Sequence, residues 1–207
     1  MQRGLDKSIY VQLTSSVIKV FQGDFGVSIL NQKPVLDQLI IAGKNTYILA
    51  GTALLIALSF GLVGGIISAK FHESAADKII MSISIFFISI PHFFLGPLLI
   101  LFFSIWLGWF PVNGMGGFSS IVLPAFTLAL GMIAIIVKLT RNCMLELIDS
   151  DIVRTARAKG LSEWTVLINH VFRLVLIPII SVLGMQFGSL LSGAVITETI
   201  FSWNGIG

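Results

Sequence analysis

Four stretches of this chain, residues 46–69, 79–107, 121–138 and 174–197, contain no Asp, Glu, Lys or Arg apart from Lys138 at the edge of the third. A hydrocarbon core about 30 Å thick needs about 20 helical residues to cross it, and each stretch reaches or approaches that length. Lipid offers no hydrogen-bond partner to an open backbone, so such stretches span as helices. The predicted fold class is an all-α integral membrane protein. Composition agrees, because 56% of the 207 residues are apolar and 11% are charged, whereas soluble domains carry about 25% charged residues.

Details within the spans refine this reading. The stretch 79–107 is too long for one upright helix, and Pro91 and Pro97 are the places where it is expected to bend or break. The third span is short, and the Lys138 ammonium can snorkel to the interface. Small residues recur every four positions, at Ala57, Gly61, Gly65 and Ala69 and again at Gly184, Gly188 and Ser192. Such stripes let helix backbones approach closely in lipid, and packing within the chain is expected over a homodimer seam.

Orientation follows from Lys and Arg in the connecting loops. The 70–78 loop holds Lys70 and Lys78, and the 138–173 stretch holds Lys138, Arg141, Arg154, Arg157, Lys159 and Arg173, while the 108–120 loop holds none. Four crossings put the two basic loops together on the cytoplasmic side. The net charge of +3 is explained by this asymmetry, so no nucleic-acid partner is implied. Residues 1–45 then form an extracytoplasmic segment. Ile9 to Phe21 is too interrupted by polar residues to be a signal peptide. An upstream helix is therefore expected to be missing, and the abrupt finish at Gly207 suggests truncation at that end too. The single Cys143 excludes an internal disulfide and a four-thiolate metal site, and no cofactor is predicted.

No carboxylate lies within a span, which argues against an ion-coupled carrier. Pro91, His92 and Glu198 are the candidates for a substrate pathway. His92 is compatible with a pore-lining ligand or with a partner for backbone freed by Pro91; the lack of a second ligand nearby favours the latter. Glu198 is compatible with the outer mouth or with interfacial water, and the solvated position is expected. Asn113 and Trp203 are compatible with lining the outer mouth.

The chemistry-bearing segment is 149–164, on the cytoplasmic side. Asp149 or Ser150 can cap a short helix with acidic residues in its first turn and Arg157 and Lys159 in its last, matching the helix dipole. Gly160 suits the left-handed residue that ends it, and Ser162 with Glu163 starts a second helix. Ile152, Ala156 and Gly160 share one face at i, i+4, i+8. That face can seat on another protein or on anionic lipid, and its lack of bulky anchors favours a protein.

The run Arg154-Thr155-Ala156-Arg157-Ala158-Lys159-Gly160-Leu161 resembles the EAA loop of ABC-importer permeases. With Gly4-Leu5-Asp6-Lys7, Tyr10-Val11-Gln12, Gly23-Asp24-Phe25-Gly26, Pro34-Val35-Leu36 and Phe201-Ser202-Trp203-Asn204-Gly205-Ile206-Gly207, the chain resembles the dipeptide/oligopeptide/nickel permease family along nearly its whole length. The resemblance implies a type I ABC-importer permease fold with four of the family's six membrane helices present, the permease domain occupying 46–207. It also implies that the loop presses a short helix into an ATPase subunit. Arg154, Thr155 and Ala156 stand at the Glu-Ala-Ala positions and Gly160 at the glycine. Two of the three depart from the general consensus, and Arg173 stands where a proline is expected; the peptide/nickel branch shares these departures. The coupling residues implied are Asp151, Arg154, Thr155, Ala156, Gly160 and Leu161. The implied partners are a homologous second permease subunit, two ATP-binding cassette subunits and an extracytoplasmic substrate-binding protein, all in membrane lipid of a bacterial or archaeal cell.

No phosphate-cradling G-x-x-x-x-G-K-[ST] loop occurs; at Gly43-Lys44 the first glycine is Gln38 and the last position is Asn45. ATP hydrolysis is therefore assigned to partner subunits, and the chain is predicted to be a permease for short peptides or for nickel or another metal chelate. The alternatives are a gated channel or ion-coupled carrier without ATPase partners, and a scaffold that transports nothing.

Overall fold

The computed structural model describes residues 8–29 and 31–207, without the side chains of His92, Ser192 and Gly193. The motif Gly4-Leu5-Asp6-Lys7 lies outside them. Helix α1 (Ile9–Phe21) is followed by a turn closed by an isolated antiparallel bridge between Val27 and Pro34. In that turn the Asp24 carboxylate accepts from the Gly26 amide at 2.9 Å, and Gly26 adopts a φ of +71°. This gives the Gly-Asp-Phe-Gly motif its physical reason. No side chain of α1 is buried.

Helix α2 (Val35–Lys70) starts well before the predicted span at 46 and runs straight through the expected boundary at 45/46. The extracytoplasmic segment and the first span therefore share one helix. Helix α3 (Ala75–Ser89) begins at Ser74, whose hydroxyl accepts from the Asp77 amide at 3.4 Å. The chain then turns by 111° at Ile90–Pro91 into α4 (His92–Leu99), which continues as a π-helical segment, Ile100–Trp106. The break expected at Pro91 is present, whereas Pro97 sits inside α4. The interior proline cannot donate an amide, and the wider turn that follows absorbs the misfit.

Helix α5 (Phe118–Ile148) leads into the short α6 (Asp151–Ala158) and α7 (Glu163–Thr165), and a π-helical turn, Val166–Val171, joins α7 to α8 (Phe172–Phe201). Long-range bonds fix which ends lie together. Asn45 donates to the Asn204 carbonyl at 2.7 Å and Gly114 to the Phe201 carbonyl at 3.1 Å, so these residues share one end. Arg141 bonds Asp77 at the other end, and Lys70 lies over the Trp164 ring there. The bent α3–α4 pair thus runs between the two ends and, counted as one span, adds a fourth to the three long apolar helices. The basic loops meet at one end and the neutral 108–120 loop at the other, as the charge pattern predicts.

Helix α5 is the axis of the bundle. Its most apolar stretch is 78% buried, against 28% for those of α2 and of the span Glu163–Leu191, so the outer helices leave faces free. One core joins Leu49, Ala53 and Ala57 of α2 to Ala125, Leu128, Met132 and Ile136 of α5 and to Leu190 and Ala194 of α8. The first small-residue stripe packs within the chain. A Cβ on Gly61 would stand 2.7 Å from Ile136, and one on Gly65 would stand 2.5 Å from Thr140 and 3.0 Å from the Val137 carbonyl. The second stripe differs: nothing lies within 4 Å of a Cβ on Gly184 or Gly188, so the expected packing within the chain is absent at those two positions.

Because Gly65 abuts backbone as well as a side chain, Gly65→Ala is expected to force α2 from α5 and cost about 1–3 kcal/mol. The midpoint of thermal unfolding in detergent reads this directly. An unchanged midpoint would mean that the two helices separate freely.

Candidate functional site

The end where the two basic loops meet carries the segment singled out by its sequence. Ser150 holds the N-cap position of α6, yet its hydroxyl makes no cap bond and is buried without a partner among the described residues. Only the position of the cap agrees with expectation. At the other end, Gly160 has a φ of +78°, its amide bonds the Arg157 carbonyl at 2.9 Å, and the Leu161 amide bonds the Ala156 carbonyl at 3.4 Å. These two bonds form a Schellman ending, which requires a residue tolerant of the left-handed region. Ser162 then caps α7, accepting from the Thr165 amide at 3.3 Å.

Arg157 locks the two short helices together. Its Nε donates to Glu163 Oε1 at 2.9 Å and its Nη2 to Oε2 at 3.1 Å. This fork raises the Arg157 pKa above its ordinary value, because the bonded carboxylate favours the charged guanidinium. Lys70 Nζ sits 3.4 Å from the Trp164 ring centroid, tying the hairpin to the end of α2. The outward Arg154–Asp151 contact at 3.6 Å is solvent-exposed and adds little.

The predicted face of Ile152, Ala156 and Gly160 is divided in the fold. Ala156 is 4% exposed and Val153 1%; both turn inward onto Met144, Val166 and Val171. They form the i, i+3 pair that anchors α6 to its own bundle. Ile152, Thr155 and Lys159, at i, i+3 and i+7, face outward instead. With Asp151, Ala156, Leu161 and His170 they line an open groove of about 470 Å³, to which the mostly buried Ala156 contributes an edge. Arg154 and Gly160 are exposed beside it. Lys159 and His170 are members of this surface that the sequence reading left out, although the i+3, i+7 spacing from Ile152 points to Lys159.

Behind the hairpin lies a buried ion pair. Asp77, 3% exposed, accepts from Arg141 Nε at 2.7 Å and Nη2 at 2.8 Å, and from the Ser68 hydroxyl and the Glu73 amide. His72 Nδ1 lies 3.0 Å from Arg141 Nη2. The first basic loop is thereby bolted to the helix that leads into α6.

The pathway candidates occupy different places. Pro91 is at the bend between α3 and α4, and the His92 side chain lies outside the described residues. Glu198 is 2% exposed, which corrects the expectation of interfacial water. It accepts from the Thr46 hydroxyl at 2.6 Å and the Gly207 amide at 2.8 Å, while Ile206 donates to the same Thr46 oxygen at 3.0 Å. Trp203 is also buried and donates to the Asn45 carbonyl at 3.2 Å, so it closes this clasp rather than lining an open mouth. Sequence spacing could not show that residues 203–207 fold back onto α2.

Comparison with known proteins agrees with this architecture. Residues 61–207 match the family described as binding-protein-dependent transport system inner membrane component. The chain is 38% identical over 206 residues to the glutathione transport system permease protein GsiC of Escherichia coli strain K12, covering 100% of this chain and 67% of that protein. GsiC of Shigella dysenteriae serotype 1 is also 38% identical, and that of Shigella flexneri serotype 5b is 37% identical, with the same coverage. With its helical bundle and several apolar spans, this chain belongs to the inner-membrane permeases of binding-protein-dependent ABC importers and has a partial type I permease fold.

Proposed function

We propose that the chain is the permease subunit of an ATP-driven importer of short peptides, moving cargo by alternating access. The observation that carries this reading is the α6–α7 hairpin, with its outward Ile152-Thr155-Lys159 face and open groove. Arg157–Glu163, Lys70–Trp164 and the Val153–Ala156 anchor make it a lever continuous with α5 and α8. A cassette ATPase is the partner that fits, with Ile152, Thr155, Lys159, Gly160 and Leu161 as the contact and Ala156 as its internal anchor. A second permease and an extracytoplasmic binding protein complete the complex. The relatives are named for glutathione, a tripeptide, which favours peptides over nickel as cargo.

Affinity purification from the native membrane tests this directly, since an ATPase with a Walker loop should copurify in stoichiometric amount. A channel or secondary carrier predicts none. Gly160→Trp supplies a finer test. Nothing lies within 4 Å of a Cβ there, so the new ring projects from the docking surface instead of into the bundle, and Gly160→Ala is the control for the strain that any side chain suffers at a φ of +78°. ATP-driven uptake by the assembled complex should fall by about tenfold, equivalent to about 1.4 kcal/mol of coupling, with basal ATP hydrolysis retained. Unchanged uptake would overturn the assignment of the docking surface.

A further inference from the structure

Gln186 stands at the midpoint of α8 (Phe172–Phe201), near the level where hydrocarbon surrounds a spanning helix. A primary amide there costs several kcal/mol unless it is hydrogen-bonded or faces a polar cavity. Ser189, one turn on, directs its hydroxyl to the Gln186 backbone carbonyl at 2.8 Å and lies 3.5 Å from Gln186 Oε1. Among the described residues, the Gln186 amide nitrogen makes no hydrogen bond.

The side chain borders a cavity of about 320 Å³ between α3, α5 and α8, within the size range of ligand pockets. Phe87, Gly131 and Met132 supply the opposing wall, so Gln186 and Ser189 are polar groups in a largely apolar chamber. Phe87 lies four residues before the 111° turn at Pro91, so the wall of the chamber and the bend belong to the same stretch of chain. The cavity is thus at mid-membrane depth, beside the hinge, with one amide whose donors are free.

Resting on the importer reading, we infer that this cavity is a substrate subsite in which Gln186 hydrogen-bonds a backbone amide of a short peptide in transit. A carboxamide donates and accepts side by side, which matches the acceptor and donor of a peptide bond. The apolar wall accommodates the cargo's side chains.

The test uses the assembled importer in proteoliposomes, with its ATPases, its binding protein and radiolabelled glutathione as probe. Gln186→Leu should lower uptake about tenfold while binding-protein-stimulated ATP hydrolysis persists. Gln186→Asn should restore part of the uptake, because the amide is kept. Wild-type uptake by Gln186→Leu would overturn the subsite. So would loss of assembly and ATP hydrolysis together, since the amide would then be a packing contact with the second permease. Absence of ATP-dependent uptake of glutathione and of other di- and tripeptides by the wild-type complex would instead sink the importer-of-peptides reading, and the subsite with it.

Discussion

Arg141→Leu is expected to destabilise the protein by about 3–5 kcal/mol, because it leaves a buried carboxylate without its cation. Asp77 is 3% exposed and receives both arms of the guanidinium, at 2.7 and 2.8 Å. Ser68, the Glu73 amide and His72 Nδ1, 3.3 Å away, remain as partners, but none replaces the fixed guanidinium charge. Replacing both members of such a pair by apolar residues removes the uncompensated charge, so Asp77→Leu combined with Arg141→Leu should regain most of the loss. Thermal unfolding of the four species in detergent gives the cycle. A loss under about 1 kcal/mol for Arg141→Leu alone, the level of an exposed pair, would show that water reaches Asp77. Since Arg141 lies on the helix that runs into α6, this variant should also loosen the α6–α7 hairpin.

Gly205→Ala is expected to open the outer clasp. A Cβ at Gly205 would stand 2.0 Å from Glu198 Oε1 and 2.1 Å from the carboxyl carbon, so the carboxylate has to move. Moving it breaks the bonds from Thr46 and Gly207 and frees Ile206 from Thr46. Overpacking of this kind costs about 1–3 kcal/mol, and an unsatisfied buried charged group adds a similar amount or more. Hydrogen exchange at the Ile206 and Gly207 amides reads the event, since both are bonded in the closed clasp. Slow exchange retained in the variant would show that the loop tolerates the methyl group. The Trp203–Asn45 bond should be lost in parallel.

Much of the architecture was legible because it depends on neighbours in sequence. The uncharged runs announced the spans, and Lys and Arg counts announced which loops meet. The Pro91 break, the left-handed Gly160 and the Ser162 cap are local chemistry, each decided within a few residues. Close packing at Gly61 and Gly65 was also readable from their helical spacing, but not the partner α5, and the same spacing at Gly184 and Gly188 carries no such contact.

The misplacements share one cause. Ala156 shares the helical spacing of Ile152 and Gly160, yet it is 4% exposed and only borders the groove, because spacing does not say how much of a face the bundle covers. Glu198 looked solvated because it follows an apolar run; its partners Thr46, Gly205 and Gly207 converge only when the 203–207 loop folds back over α2. Gln186 drew no notice, being uncharged among apolar neighbours.

What the sequence by itself determined is where the apolar helices lie, that the two basic loops share one end, and the helix–turn–helix chemistry of the 149–164 hairpin, all set by local hydrophobicity, charge and backbone preference. The tertiary structure decided which faces are covered: it buried Ala156, enclosed Glu198, paired Asp77 with Arg141 and left Gln186 at a cavity. Burial and pairing belong to residues far apart in the chain, so they exist only after α5 has drawn α2, α3 and α8 around it.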